Sequence, residues 1–402
     1  MIPLPIPVIV SFLLGFISVA VPLLALSLLR PALRRRLPAL PDPRLADIAA
    51  VRRMRPRLLP VQKLLLALAL LMLLWTFAGR YAVLMMRPVG VDDPTDERST
   101  PGRMLKSSTG AMLHVEEYGA RTAPTIVFSH GWGADSREWY YARRLADDFH
   151  VVLWDLPGLG LSTPYPDEDY SLQRMAEDLQ SVIAATSDGP TLIAGHSIGG
   201  MINLTYARLH PEELGKRVRG ILQLNTTYTN PVHTTRHSER AEQLQKPVLE
   251  PALQATIWLS PLVRAVGWLN YMNGLAHIHL HAESFAGAET RGQLDFAARY
   301  AYRSSPAVVS RGALAMLHWD ATDVMPHVNV PVLVVSGDQD TTTLPEASET
   351  MERSLPNAQR RQMQLAAHLG PIEQHGTYEA SMREFAFKVL AGEPPATALA
   401  LQ

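Results

Sequence analysis

Gly195-His196-Ser197-Ile198-Gly199-Gly200 directly follows the apolar run Thr191-Leu192-Ile193-Ala194 and directly precedes the helix-like run Met201 to Leu209. A serine with glycines two positions before and two after it, between a strand and a helix, is the pattern of a nucleophile elbow. The turn is so tight that a Cβ at either flanking position would clash, which Gly195 and Gly199 avoid. Such a turn lifts the Ser197 hydroxyl to a helix N-terminus, where backbone N–H groups point at developing negative charge. Alone, the stretch also fits a plain glycine-rich loop ahead of a helix, so the flanking sequence has to decide.

Outward from the elbow, the chain alternates strand-like and helix-like segments from about residue 103. Strand-like runs are Met112-Leu113-His114-Val115, Thr125-Ile126-Val127-Phe128, Val151-Val152-Leu153-Trp154, Thr191 to Ala194, Gly220 to Leu224 and Val332-Leu333-Val334-Val335. Several are short continuous apolar blocks, as expected of strands buried on both faces of a parallel sheet. Helical stretches are expected at Trp139 to Asp148, Leu172 to Thr186 and Met201 to His210. This alternation predicts an α/β fold with a mostly parallel sheet and right-handed crossovers. It breaks over 227–318, where helical patterns such as Gln254 to Leu259 and Val263 to Leu269 replace it. A connection this long is not a plain loop. It reads as a helical cap inserted into a core formed by 103–226 and 319–391.

Four further motifs stand in order around the elbow. Phe128-Ser129-His130-Gly131-Trp132-Gly133 ends a strand, and Trp154-Asp155-Leu156-Pro157-Gly158-Leu159-Gly160-Leu161-Ser162 ends the next. Val335-Ser336-Gly337-Asp338-Gln339-Asp340 follows a late strand. Ala366-Ala367-His368-Leu369-Gly370-Pro371-Ile372-Glu373-Gln374-His375 comes last. With the elbow, this set resembles the α/β-hydrolase superfamily over roughly 103–391. The resemblance implies a serine ester hydrolase with Ser197 as nucleophile, His368 as base and Asp340 as triad acid, with Asp338 as the alternative acid. It also implies an oxyanion hole built from the backbone N–H groups of Trp132 and Ile198, with Gly131 opening the approach. Ala367 stands where glycine is usual and His375 where proline is common, so His375 competes with His368 as base. A serine at the elbow argues against epoxide opening or halide displacement, which use an aspartate there.

The chemistry needs each part. A serine hydroxyl is a poor nucleophile at neutral pH, so a histidine must take its proton and later deliver it to the leaving group. The aspartate fixes the imidazole tautomer and stabilises the imidazolium. Other histidines have plainer readings. His196 belongs to the packing of the elbow, and His130 supports the oxyanion loop. His277, His279 and His281 share one face on a strand, whereas on a helix only His277 and His281 do. With no completing set of ligands nearby they read as a polar rim of the cap, and no metal is expected.

Composition narrows the class. The chain has 402 residues, a formal net charge of −1, 47% hydrophobic residues and no cysteine. Near-neutral charge gives no pull towards nucleic acid. The missing cysteines exclude disulfides, thiolate metal sites, a cysteine nucleophile and palmitoylation. No phosphate-cradling loop with its lysine is present, and no cofactor is expected.

Residues 1–88 read as a membrane anchor. Ile2 to Leu29 carry no charged side chain, and a second apolar run spans Leu64 to Gly79, extending to Met86 past Arg80 and Tyr81. About 20 apolar residues suffice to cross the hydrocarbon layer. Pro3, Pro5 and Pro7 suit a non-helical entrance, and Pro22 a kink. Loop 30–63 is strongly basic, which the positive-inside rule places in the cytoplasm, leaving the large domain outside it. Segment 89–102 reads as a polar linker and 392–402 as a loose tail. Trp258, Trp268, Tyr271, Met272, Leu275 and Phe285 make the cap aromatic and apolar, fitting its own core or an acyl pocket. The expected function is a membrane-anchored serine hydrolase of hydrophobic or lipid acyl esters. An acyltransferase using the same triad and a non-catalytic membrane protein keeping the fold are the alternatives.

Overall fold

The structure, a computed structural model, describes residues 14–27, 59–98 and 100–391. Two apolar helices come first, α1 (Leu14–Ser27) and α2 (Pro60–Met85). The basic residues from Arg30 to Arg57, the early prolines and the tail 392–402 lie outside the described residues.

Eight strands form one sheet in the order β1-β2-β4-β3-β5-β6-β7-β8. They are β1 (Arg103–Lys106), β2 (Met112–Tyr118), β3 (Thr125–Ser129), β4 (His150–Trp154), β5 (Thr191–His196), β6 (Val218–Leu224), β7 (Val332–Gly337) and β8 (Ala358–Met363). β1 and β2 are antiparallel to their neighbours, and from β4 to β8 all pairings are parallel. Helices α3 (Leu172–Thr186), α4 (Ile198–Leu209), α11 (Pro345–Ser354) and α12 (His375–Ala386) connect or flank the strands. Between β6 and β7 lie α5 (Ser238–Leu244), α6 (Glu250–Trp258), α7 (Ser260–Asn273), α8 (Leu275–Ser284), α9 (Arg291–Ala298) and α10 (Pro306–Met316).

The central strands are apolar on both faces because both are covered. Val127, Ile193 and Val334 join the core beneath α3 and α4, while their neighbours Phe128, Ala194 and Val335 join the one beneath α12. The six strand-like runs all lie in this sheet. β1 and β8 carry no apolar run, being the edges, with Arg103-Met104-Leu105-Lys106 and Ala358-Gln359-Arg360-Arg361-Gln362-Met363. Edge strands need only one buried side, and charge on them discourages further pairing.

One expected helix is corrected. Trp139 to Asp148 is not α-helical but falls into two 3₁₀ turns, Ser136–Trp139 and Ala142–Asp147. A 3₁₀ helix has three residues per turn, and Ser136, Trp139, Ala142 and Leu145 are all buried. The period of three, not 3.6, is what aligns these positions on the core.

The linker is not loose. Asp96 pairs with Arg303 at 2.6 Å and also with Arg299, both in the segment between β6 and β7. It therefore straps that segment to the chain leading out of α2.

Candidate active site

Ser197 stands between the end of β5 and the first residue of α4, with φ 55° and ψ −119°. A non-glycine residue there stores roughly 1–3 kcal/mol of strain, which only over-determined surroundings maintain. A Cβ on Gly195 would collide with the backbone carbonyl of Gly199, and one on Gly199 with the backbone oxygen of Ser129. Both obstacles are main chain and cannot step aside. Gly199→Ala is accordingly expected to lower stability by about 2–3 kcal/mol, the cost of overpacking a rigid core. Thermal unfolding would check it, and an unchanged Tm would contradict the tight elbow.

The structure brings three of the expected side chains together. His368 Nε2 lies 3.2 Å from Ser197 Oγ, and His368 Nδ1 lies 2.9 Å from Asp340 Oδ2. Asp340, on the turn after β7, is buried and well supplied with donors. It accepts the backbone N–H groups of Thr342 at 2.8 Å and Thr343 at 2.9 Å. The Thr343 hydroxyl at 2.8 Å and the Asn225 amide at 3.1 Å donate to its other oxygen. Burial opposes ionisation of Asp340, yet His368 and the Thr343 donors outweigh it and hold its carboxyl below the usual range. For His368 the balance reverses: burial pushes the imidazole below its ordinary value against the pull of Asp340.

Asp338 and His375 take other places. Asp338 accepts the Ala366 N–H at 3.1 Å and so steadies the turn leading to His368. His375 stacks on Tyr141 with ring centroids 3.6 Å apart.

Trp132 and Ile198 flank the elbow. β3 and β5 are in register with Ser129 opposite Gly195, so the loop carrying Gly131 and Trp132 leaves the sheet beside Ser197. Ile198 opens α4, where the first N–H groups have no partner within the helix. The oxyanion loop is braced from several sides. Gly131 N–H donates to Glu138 Oε2 at 2.6 Å. His130 Nε2 accepts the Leu156 N–H at 2.9 Å, a supporting role. The Trp132 indole donates to the Val309 carbonyl of α10 at 2.8 Å, and Gly312 leaves room for its ring.

His196 does more than fill space. Its Nδ1 lies 3.0 Å from Glu138 Oε1 and its Nε2 2.9 Å from the His368 carbonyl. Both groups are buried, and against that burial His196 is raised by Glu138 while Glu138 is lowered by His196. Through these two contacts His196 links the oxyanion loop to the loop carrying His368. Glu138, Asn225 and Thr343 carried no sequence signal: each is a single polar residue outside any motif.

The three cap histidines lie on a helix, α8, so only two share a face. His277 pairs with Asp295 at 3.1 Å and His281 with Glu289 at 2.8 Å. Among the described residues no group of three or more His, Asp or Glu side chains could hold a metal ion. A groove of about 650 Å³ runs between α6, α10 and the start of α3 and does not include Ser197. One of its walls, Tyr170, stands 6.1 Å from the Trp132 ring.

Comparison with known proteins agrees with this architecture. The sequence profile of the alpha/beta hydrolase fold family matches residues 124–374, and the chain belongs to that family. A candidate carbamate hydrolase, RutD, of Pseudomonas syringae pv. syringae is 25% identical over 264 residues, covering 65% of this chain and 93% of its own. A pimeloyl-[acyl-carrier protein] methyl ester esterase of Hamiltonella defensa is 24% identical over 250 residues, covering 61% and 85%. An esterase structure from Thermogutta terrifontis superposes with a TM-score of 0.57 at 24% identity, covering 72% of this chain and all of its own.

Proposed function

We propose that the chain is a membrane-tethered serine hydrolase of carboxylic esters, with Ser197 as nucleophile, His368 as general base and Asp340 as the acid that orients it. The observation carrying this reading is the unbroken relay from Ser197 Oγ to His368 to Asp340, at 3.2 and 2.9 Å. Relatives named as an ester esterase and a candidate carbamate hydrolase support attack on an acyl carbon. In this reading 103–226 and 319–391 are the catalytic core, 227–318 the cap and 1–88 the anchor.

His368 takes the Ser197 proton as Oγ attacks the ester carbonyl carbon. The carbonyl electron pair moves onto oxygen, and the N–H groups of Trp132 and Ile198 stabilise it, each by about 2.7–4 kcal/mol. Collapse expels the alcohol, which receives the proton from His368, and leaves an acyl group on Ser197. Water then repeats the sequence and releases the acid. Asp340 stays ionised throughout and stabilises the imidazolium.

The pH dependence follows. The base must be neutral, and burial lowers the His368 value below that of an ordinary imidazole. Activity is therefore expected to persist down through the usual histidine range and to fall on the acid side below it, with a single-proton slope. A kcat/KM profile measures this, and an acid limb above pH ~6.5, the ordinary histidine value, would contradict it.

α2 supports the tether: at 26 residues it is long and apolar enough to cross a membrane. The basic segment 30–63 favours the cytoplasmic side for the loop before α2, which puts the catalytic domain on the opposite side. A site held beside lipid suits an ester with a hydrophobic acyl group. Rates on a series of acyl chain lengths in detergent micelles should rise towards long chains. Efficient cleavage of short soluble esters with none of long ones would sink the lipid assignment. The same assay with an acceptor alcohol present reveals transfer in place of hydrolysis.

A further inference from the structure

The cap carries an apolar face that no other part of the described protein covers. On α7 and the corner before it, the exposed residues Trp258, Pro261, Leu262, Ala265 and Trp268 recur at helical spacing on one side. Trp258 is 85% exposed, Leu262 47% and Trp268 41%. The charged residue of α7, Arg264, turns its guanidinium onto the backbone carbonyls of Tyr302 and Arg303 at 3.1 and 3.3 Å. Water-facing helices usually show polar residues outward, and soluble monomers rarely leave a long apolar stripe bare.

What covers the stripe is indicated by what adjoins it. α7 lies along α2: Gly79 meets the backbone of Asn273, and the Phe77 and Trp268 rings are 6.2 Å apart. α1 joins the same bundle, with Thr76 donating to the Ser18 carbonyl at 2.8 Å and Gly15 facing Val266 and Asn270. The outward side of α2 is apolar and exposed at Leu64, Leu68, Leu71 and Leu74. The α7 stripe therefore continues the surface of the helix proposed to span the bilayer. Beyond Trp258 the surface turns charged, at Glu168, Asp169 and Arg311. A tryptophan at such a border suits a membrane–water interface.

We infer that the outer face of α7 is seated in the phospholipid bilayer beside α2, making the cap a membrane-inserted element. The inference rests on α2 being a membrane span. The inserted helix would adjoin the site: Ser260 Oγ of α7 accepts the Ala307 N–H of α10 at 3.2 Å. α10 in turn holds the Trp132 indole through Val309. α7 thus packs on the helix that holds the oxyanion loop.

The cysteine-free sequence makes the test direct. Single-cysteine variants Leu262→Cys and Ala265→Cys, with Leu71→Cys on α2 and Glu346→Cys on α11 as references, are spin-labelled in full-length protein. The protein is reconstituted in phosphatidylcholine–phosphatidylglycerol vesicles. Collision with oxygen, which concentrates in lipid, is compared with collision with a water-soluble nickel chelate. The expected result is oxygen-dominated collision at 262, 265 and 71, with the sign reversed at 346. Nickel-dominated collision at 262 and 265 with oxygen dominance at 71 would overturn this inference and leave the anchor standing. Nickel dominance at 71 as well would overturn the anchor itself. Low collision with both reagents at 262 and 265 would show a protein surface there, such as a second copy, and would also overturn the inference.

Discussion

Replacing Ser197 by alanine is expected to lower kcat by about 10⁶-fold, the scale on which a serine triad loses its nucleophile. The substitution removes one oxygen and adds nothing to a site already at φ 55°, so the fold and KM should change little. Without Oγ no acyl-enzyme forms, and His368 has no proton to accept from the nucleophile. A residual rate above that in water would persist, because the N–H groups of Trp132 and Ile198 still polarise a bound carbonyl. Steady-state kinetics on the best ester found, with circular dichroism to confirm folding, measures the effect. A loss under about tenfold in folded protein is far less than nucleophile removal causes and would move the nucleophile elsewhere.

The second large effect separates the two aspartates. Asp340→Asn is expected to cost about 10⁴-fold in kcat, because an amide facing Nδ1 no longer enforces the tautomer that leaves Nε2 free to accept the Ser197 proton. Asn225 and Thr343 already donate to the Asp340 carboxylate, so an asparagine side chain also meets donors with its own NH₂. Asp338→Asn should be mild, within about threefold: its side chain accepts the Ala366 N–H, which an amide oxygen does nearly as well. Equal losses in the two variants would contradict the geometry. A larger loss at Asp338 would hand it the role of triad acid.

How much of this was legible depends on what each residue needed. The elbow was readable because tight backbone approach leaves only glycine at 195 and 199, a constraint visible in one letter. The central strands were readable because burial on both faces makes them apolar runs. β1 and β8 were not, since an edge strand satisfies its hydrogen bonds without an apolar signature. The Trp139 stretch misleads because residues three apart, such as Trp139 and Ala142 or Ala142 and Leu145, share a face in either kind of helix, and the two periods separate by about half a turn only over the whole ten residues. The family resemblance points to Asp340 over Asp338 because it stands three positions after Gly337, but its cage of Thr342, Thr343 and Asn225 is invisible in the sequence, since Asn225 lies 115 positions away. The same holds for Glu138 and His196, which meet across 58 positions. Partnerships of this kind exist only once the sheet has aligned its strand ends.

The most direct test of the central claim is covalent. Full-length protein in detergent is treated with a fluorophosphonate probe, and the adduct is located by intact mass and peptide sequencing. One adduct per chain is expected, on Ser197, abolished in Ser197→Ala and slowed in Asp340→Asn but not in Asp338→Asn. An adduct on another residue, or none on folded protein at a pH where His368 is neutral, would contradict that claim.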